Sequence, residues 1–110
     1  MVGYVLLRDI QDEGGSRQLG VRLENDGSLL IEGRDLGPGV EKFFGQGIFE
    51  YEWALKLKPP GVMKLKLALA CQDNLLDALK DRFSGEASAE LQNFLDSNAI
   101  QYEFWSRAGE

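Results

Sequence analysis

The sequence predicts an α+β fold: a mixed, mostly antiparallel sheet of about five strands with helices packed on one face. Three observations indicate this. Large apolar and charged residues alternate over residues 47–58, apolar runs separated by turn residues fill the first third, and helical apolar spacing recurs over residues 73–97. The predicted order is β-β-β-α-β-α-α-α-β. With 110 residues, the chain is expected to form one domain, residues 1–110.

The first third of the chain predicts an antiparallel meander of three strands. Residues 2–10 carry apolar side chains on both faces, which favours a central place in the sheet. A polar turn over residues 11–16 leads to a second strand, residues 18–24, in which apolar and polar side chains alternate. Asn25-Asp26-Gly27 indicates a hairpin, because Asn and Gly tolerate the left-handed conformation of tight turns. Residues 28–32 return as the third strand.

The next segment, residues 33–39, interrupts the strand pattern with glycines. Asp35 is the predicted N-cap of a short helix that runs to about Phe44. In that helix Val40, Phe43 and Phe44 share one face, so we expect all three to pack on the sheet.

The fourth strand, residues 47–58, organises the predicted fold. Its large apolar side chains all point to one side, because a strand sends alternate residues to opposite faces. We expect helices to cover that side completely, which leaves polar surface as the only place for function. The side chains expected to be buried are Phe49, Tyr51, Trp53, Leu55 and Leu57.

The second half of the chain predicts three helices and a last strand. Pro59-Pro60 ends the fourth strand, because proline cannot donate to the strand ladder. Residues 61–72 alternate as a strand would, but their Leu, Lys, Met and Ala favour a helix, which is our prediction. Two further helices are predicted over residues 73–83 and 86–97, and residues 100–107 close the chain as a strand.

The charge balance argues against nucleic acid and membranes as partners. The chain has 12 basic and 18 acidic residues, a net charge of −6, and residues 1–55 hold ten acids and five bases. Such a surface repels phosphate backbones and anionic lipids, and no basic stripe offsets it. It would attract a basic protein, although solubility alone also explains the acidity.

The residue types available for chemistry are few. The chain has no histidine, which removes the commonest general base and the commonest zinc ligand. Its single cysteine, Cys71, excludes an internal disulfide and suits a reducing compartment. No signal peptide and no apolar run of about 20 residues is present. We therefore expect a cytoplasmic protein with no cofactor, no metal site and no catalytic residue, and the balance is against an enzyme.

The last strand carries the motif YEFWSR. Trp105 points away from Tyr102 and Phe104 and lies on the same side as Glu103 and Arg107. Trp and Arg often anchor interfaces, so this strand either contacts a partner or is covered on both sides.

At IEGRDLGPGVEKFFG (residues 31–45) and YEFWSR (residues 102–107) the chain resembles small uncharacterised bacterial α+β proteins. The resemblance implies a bacterial cytosolic α+β protein. Some acidic proteins of this size and build serve as toxin-immunity proteins, which is an analogy at the level of the fold. The resemblance assigns no functional residue.

We interpret the chain as a non-enzymatic protein-interaction domain, immunity-like in its most concrete form, that binds a basic protein partner. One alternative is a small carboxylate- or metal-dependent enzyme, in which Glu32 and Asp35 converge with Arg34 in a pocket. Another is a homodimer joined through an unpaired strand edge. The candidate partner-binding residues are Arg34, Asp35, Glu50, Glu52, Trp105 and Arg107.

Overall fold

Five strands, each paired with its neighbours in sequence, form one sheet in the order β1-β2-β3-β4-β5. The computed structural model of the chain describes residues 3–109, so Val2, predicted to begin the first strand, lies outside the described residues. The α+β class and the element order are confirmed, and the four strand pairings are all antiparallel. The elements are β1 (Gly3–Asp12), β2 (Gly15–Leu23), β3 (Leu29–Leu36), α1 (Pro38–Phe44), β4 (Glu50–Leu57), α2 (Pro59–Ala68), α3 (Leu75–Phe83), a 3₁₀ helix (Gly85–Glu90), α4 (Leu91–Ser97) and β5 (Glu103–Gly109).

The register divides the sheet into two sides. Residues that face each other across an antiparallel pair share a side, so Val21, Ile31 and Leu55 form one buried row. Helices α2, α3 and α4 pack on this row, and we call this side the helix side. The next row, with Glu32, Ala54 and Trp105, faces the other way, and we call that side the open side.

The hydrophobic core lies between the helix side and the helices. Leu65 of α2, Leu79 of α3 and Leu95 of α4 are completely buried against it. The predicted helix after Pro59-Pro60 is confirmed as α2, and it buries Leu65 while it leaves Leu67 79% exposed. Since a strand would have placed these two leucines on one face, the difference follows from the helical period.

The prediction that the first strand is central is wrong, because β1 is an edge strand. Its outward side chains, Tyr4 and Leu6, are exposed on the open side. The apolar residues on both faces of β1 therefore do not show that both faces are buried, because those on the open side lie at the surface. The Tyr4 ring lies over Gly20, where an added Cβ would be 2.1 Å from the Tyr4 hydroxyl oxygen.

The prediction that Asp35 caps a helix is also wrong. β3 continues through Gly33 and Asp35 to Leu36, and α1 begins at Pro38, preceded by Gly37 with a φ of 110° and no side-chain cap. The glycine at position 33 does not end the strand. It provides room for Trp53 of β4, whose Cε2 would be 2.1 Å from a Cβ at that position.

Only part of α1 packs as predicted. Val40 is buried, and the Phe44 ring stacks on Tyr51 with their centroids 4.8 Å apart. Phe43, in contrast, is 85% exposed, so it does not pack on the sheet.

The helices do not cover the helix side completely. Leu55 and Leu57 of β4 are buried as predicted, but Trp53 and Tyr51 are half-buried and Phe49, before the strand, is exposed. The expectation that helices hide all five side chains is therefore wrong. The incompletely covered part of this side forms a cleft between the sheet and the surrounding helices.

Candidate functional site

All but one of the candidate contact residues lie together on the open side. Arg34 of β3, Glu52 of β4 and Arg107 of β5 face one another in a single row, with Glu50 and Trp105 in the rows on either side. Asp35 is the exception. Asp35 pairs with Arg17 and Tyr51 on the helix side. Because β3 continues through Asp35, its side chain points to the face opposite that of its neighbour Arg34.

Arg34 links the two glutamates of β4. Its Nη2 donates to Glu50 Oε1 at 3.1 Å, and its Nε lies 3.6 Å from Glu52 Oε1. Glu50 and Glu52 are two residues apart and point to the same face of β4. Since the strand rises only about 3.4 Å per residue, one guanidinium can reach both carboxylates. The arrangement fixes the orientation of all three side chains.

The two carboxylates also interact with each other. A shared hydrogen bond lowers the pKa of Glu50 and raises the pKa of Glu52. Arg34 and Arg107 favour the ionised form of both groups, but the charge on Glu50 further opposes the ionisation of Glu52. The pair therefore retains a proton more readily than two separate glutamates would, and a cation brought to it would favour its full ionisation.

A shallow depression of about 270 Å³ lies beside this row. Tyr4 of β1 forms one wall and Trp105 of β5 forms the other, with exposed fractions of 54% and 52%. Small residues, Gly20 and Ala54, lie between them, so the surface is low between two rings.

Glu32 lies in this depression with an incompletely satisfied carboxylate. Among residues 3–109 no hydrogen-bond donor reaches its buried Oε1, and its ion pair with Arg22 Nη2, at 3.7 Å, is too long for a hydrogen bond. The Arg22 guanidinium also lies over the Tyr4 ring, 5.7 Å from the centroid. An incoming donor would complete the coordination of this carboxylate.

Sequence reasoning missed Tyr4, Arg22 and Glu32 as members of the site. Glu32 and Arg34 are two residues apart, so a third strand predicted to end four residues later would have placed both on one side of the sheet. No comparable signal marks Tyr4, because apolar residues occupy both faces of β1.

The arrangement required by the enzyme alternative does not form. Glu32 and Arg34 lie on the open side and Asp35 on the helix side, so the three do not converge in one pocket. Within residues 3–109, no group of three or more His, Cys, Asp and Glu side chains could hold a metal ion.

Comparisons with known proteins give no assignment. No family model, curated protein or solved structure matches the chain significantly. In the described part of the chain, no helix has both the length and the apolar character needed to cross a membrane.

The last strand is exposed on both faces. Phe104, on the helix side, is 57% exposed, and Trp105 is exposed on the open side. The alternative that β5 is covered on both sides is therefore wrong. β5 ends the sheet beyond β4, and its outer edge has no strand partner among residues 3–109.

Proposed function

We propose that this chain is a non-enzymatic protein-interaction domain of the bacterial cytoplasm that binds a basic protein partner through the open side of its sheet. A toxin-immunity role is the most concrete form of this function. The observation that carries the proposal is the incompletely satisfied Glu32 carboxylate between the exposed rings of Tyr4 and Trp105.

A lysine or arginine of the partner suits this depression. Its aliphatic stem would lie between Tyr4 and Trp105, and its charged end would reach the Glu32 carboxylate. Aromatic rings attract a cation placed over their faces, and the attraction grows as water is excluded. A hydrogen bond from a charged donor to Glu32 adds to this, so the contact has the features of an interface anchor.

Long-range and short-range electrostatics have different roles in this proposal. The net charge of −6 attracts a basic protein from a distance. The open side itself carries both signs, with Arg34 and Arg107 interleaved among Glu50 and Glu52. This interleaving selects a partner with a matching pattern, since like charges placed opposite each other would oppose docking.

Affinity capture with matched variants tests the proposal. Immobilised wild-type chain is compared with Trp105→Ala, with Glu32→Gln, and with the control Lys80→Ala on the exposed surface of α3. We expect wild type and control to retain the same basic proteins from a bacterial lysate. The two open-side variants should retain them at least about tenfold less, because an interface anchor contributes about 2 kcal/mol or more. About 1 M salt should release the captured proteins.

Two results would count against the proposal. One is capture that neither Trp105→Ala nor Glu32→Gln reduces, and the other is retention that about 1 M salt leaves unchanged. The immunity form has its own test: a captured protein should arrest bacterial growth when expressed alone. Co-expression of the wild-type chain should restore growth, and co-expression of Trp105→Ala should not.

The free edge of β5 favours a second candidate, a homodimer. The Gly37 N–H donates to the Phe49 carbonyl, so odd-numbered residues of β4 bond to β3 and even-numbered ones bond to β5. Their β5 partners are odd-numbered, and the N–H and C=O groups of Phe104, Ser106 and Ala108 therefore point to the open edge. A second copy of β5 could pair with them.

One antiparallel register of β5 with itself is complementary. With the two-fold axis at Trp105, the two Trp105 side chains face each other and Glu103 of each copy faces Arg107 of the other. Sedimentation analysis tests it: Arg107→Glu and Glu103→Arg should each give monomers, and the double variant should dimerise again. A wild-type chain that sediments as a monomer at about 100 μM, above the micromolar range of ordinary dimers, would exclude this candidate.

A further inference from the structure

Two adjoining cavities lie on the helix side, between the sheet and the 3₁₀ helix, α4 and α1. One, of about 340 Å³, is lined by Arg8, Arg17, Asp35 and Trp53 with residues of the 3₁₀ helix and α4. The other, of about 400 Å³, again includes Arg17 and Asp35 and reaches Phe44 and Tyr51. We call the two together the helix-side cleft. Each volume falls within the range of small-molecule sites, roughly 300–1,000 Å³.

Two arginines and one carboxylate line the inner part of the cleft. Arg8 and Arg17 lie there with Asp35, and no ion pair joins Asp35 to either arginine among residues 3–109. Arg8 Nε is buried and has no hydrogen-bond acceptor in the described part of the chain. Arg17 forms a half-exposed ion pair with Asp12, with Nη2 3.4 Å from Oδ2, a long contact that uses only one of its donor groups.

Burial raises the pKa of Asp35, although the neighbouring Arg17 and Arg8 act to lower it. At this carboxyl, desolvation therefore outweighs the attraction of the two guanidinium groups. A ligand with a negative charge and acceptor oxygens would therefore provide the further hydrogen-bond acceptors and counter-charge that the two arginines lack.

The outer part of the cleft is aromatic. Phe44 stacks on Tyr51, and Phe43 stands beside Phe44 with ring centroids 5.3 Å apart. Phe43 is the most exposed large apolar side chain in the described residues. Its packing contributes little to the fold, but its ring extends the wall of the cleft.

We propose that the helix-side cleft binds a small amphipathic anion. Its carboxylate, sulfonate or phosphate group lies between Arg8 and Arg17, and its flat apolar body lies against Phe43, Phe44 and Tyr51. The guanidinium fork matches the oxygens of such a group, and the rings offer a large, rigid contact area. This site is on the opposite side of the sheet from the protein-binding surface and is independent of it.

A matched pair of fluorescent probes tests the proposal. 8-Anilinonaphthalene-1-sulfonate has a flat apolar body and an anionic group, and N-phenyl-1-naphthylamine has the same body without the sulfonate. We expect saturable one-to-one binding of the sulfonate and at least about tenfold weaker binding of the neutral probe, because a charge-assisted hydrogen bond contributes about a factor of ten. Equal affinity for the two probes would overturn the proposal.

Variants locate the binding. Arg17→Gln and Arg8→Gln should each weaken sulfonate binding about tenfold, since each removes a charged donor. Lys80→Gln removes a positive charge from the exposed surface of α3, outside the cleft, and should leave the affinity unchanged. Phe43→Ala should weaken the binding of both probes to the same extent. Because Phe43 is exposed, the variant should unfold at the same urea concentration as wild type.

Amide chemical shifts place the probe independently of the variants. The sulfonate should shift the resonances of Arg17, Asp35, Tyr51 and Ser88, which line the cleft. Shifts confined to open-side residues such as Gly20 and Ala54 would overturn the proposal, as would the absence of saturable binding. A cooperative urea melt of each variant confirms that its fold is intact.

Discussion

Two glycines lie beneath aromatic rings, one on each side of the sheet. Gly20 lies under Tyr4 on the open side, and Gly33 lies under Trp53 on the helix side. Glycine in a strand is normally a weakness, since it lacks a side chain to pack and loses more entropy on folding. Here the missing side chain lets a ring lie flat on the backbone, and these rings form a wall of the open-side depression and part of the helix-side cleft.

Gly33→Ala is expected to destabilise the protein by about 1–3 kcal/mol, since the new methyl group would overlap the Trp53 indole and force it to move. In a Trp53→Ala background the same change should cost much less, and urea melts of the four proteins give the coupling. Gly109→Ala, with open space around its Cβ, is the control and should stay within about 0.5 kcal/mol. Equal costs in both backgrounds would mean that the ring is not the obstacle.

The Glu50–Glu52 pair makes a pH-dependent contribution to stability. The pKa of Glu52 lies above its ordinary 4.5, so its contribution is present below pH 4.5 and lost as the pH rises through the raised pKa. Glu52→Gln removes that contribution, so the Tm of the variant relative to wild type should rise between about pH 4 and 7. The pKa of Glu50 lies below 4.5, and its contribution has the opposite direction.

Thermal melts of both proteins across this range check the prediction. A Tm difference between Glu52→Gln and wild type that stays constant from about pH 4 to 7 would show that folding does not raise the pKa of Glu52.

At the scale of elements, α2 shows how tertiary contacts resolve an ambiguous pattern. Its leucines alternate as in a strand, and its apolar side is barely distinct around the helix axis. Pro59 and Pro60 at its start and the good helix formers that follow favour the helix. Val62 and Leu65 then provide the contact with the core, and Met63 and Leu67 remain in solvent.

Leu65→Ala and Leu67→Ala distinguish this helix from a strand. Leu65 is completely buried, so its truncation should cost about 2–5 kcal/mol, whereas Leu67→Ala should change the stability by less than about 0.5 kcal/mol. Urea denaturation measures both. Similar costs would mean that the two side chains share an environment, as they would on one face of a strand.

At the scale of the whole molecule, the excess of acidic residues places many like charges close together on a small protein. The described chain extends over 44 × 26 × 23 Å, and a net charge of −6 is distributed over a surface of that size. At about 0.01 M salt the Debye length is about 30 Å, so nearly all of these charges interact. The repulsion opposes the compact state and also determines the attraction to a basic partner.

Raising the salt concentration from about 0.01 M to 0.15 M at pH 7 should therefore raise the Tm, because it shortens the Debye length to about 8 Å. Near the pI of about 4.7 the net repulsion vanishes, and the Tm should become nearly independent of salt. Scanning calorimetry at both pH values measures the effect. A Tm that falls with salt at pH 7 would show that the surface ion pairs outweigh the repulsion.

Local patterns were sufficient for the elements and their order. Alternation marked β2 and β4, Asn25-Asp26-Gly27 marked a hairpin, and the two prolines marked the start of α2, because each is a property of consecutive residues. The same alternation placed Glu50, Glu52, Trp105 and Arg107 on surface positions. Arg34 and Asp35 were grouped together because the third strand was expected to end too early.

The amino-acid sequence by itself determined the α+β class, the element order and the alternation of faces along β2 and β4, since these depend on periods of about two and 3.6 residues. Only the tertiary structure decided which strands are edges, how far the helices cover the sheet, and that Tyr4 and Trp105 enclose Glu32. These features depend on register and on the relative lengths of layers that meet across the chain. No local pattern encodes such distances, and both proposed binding surfaces depend on them.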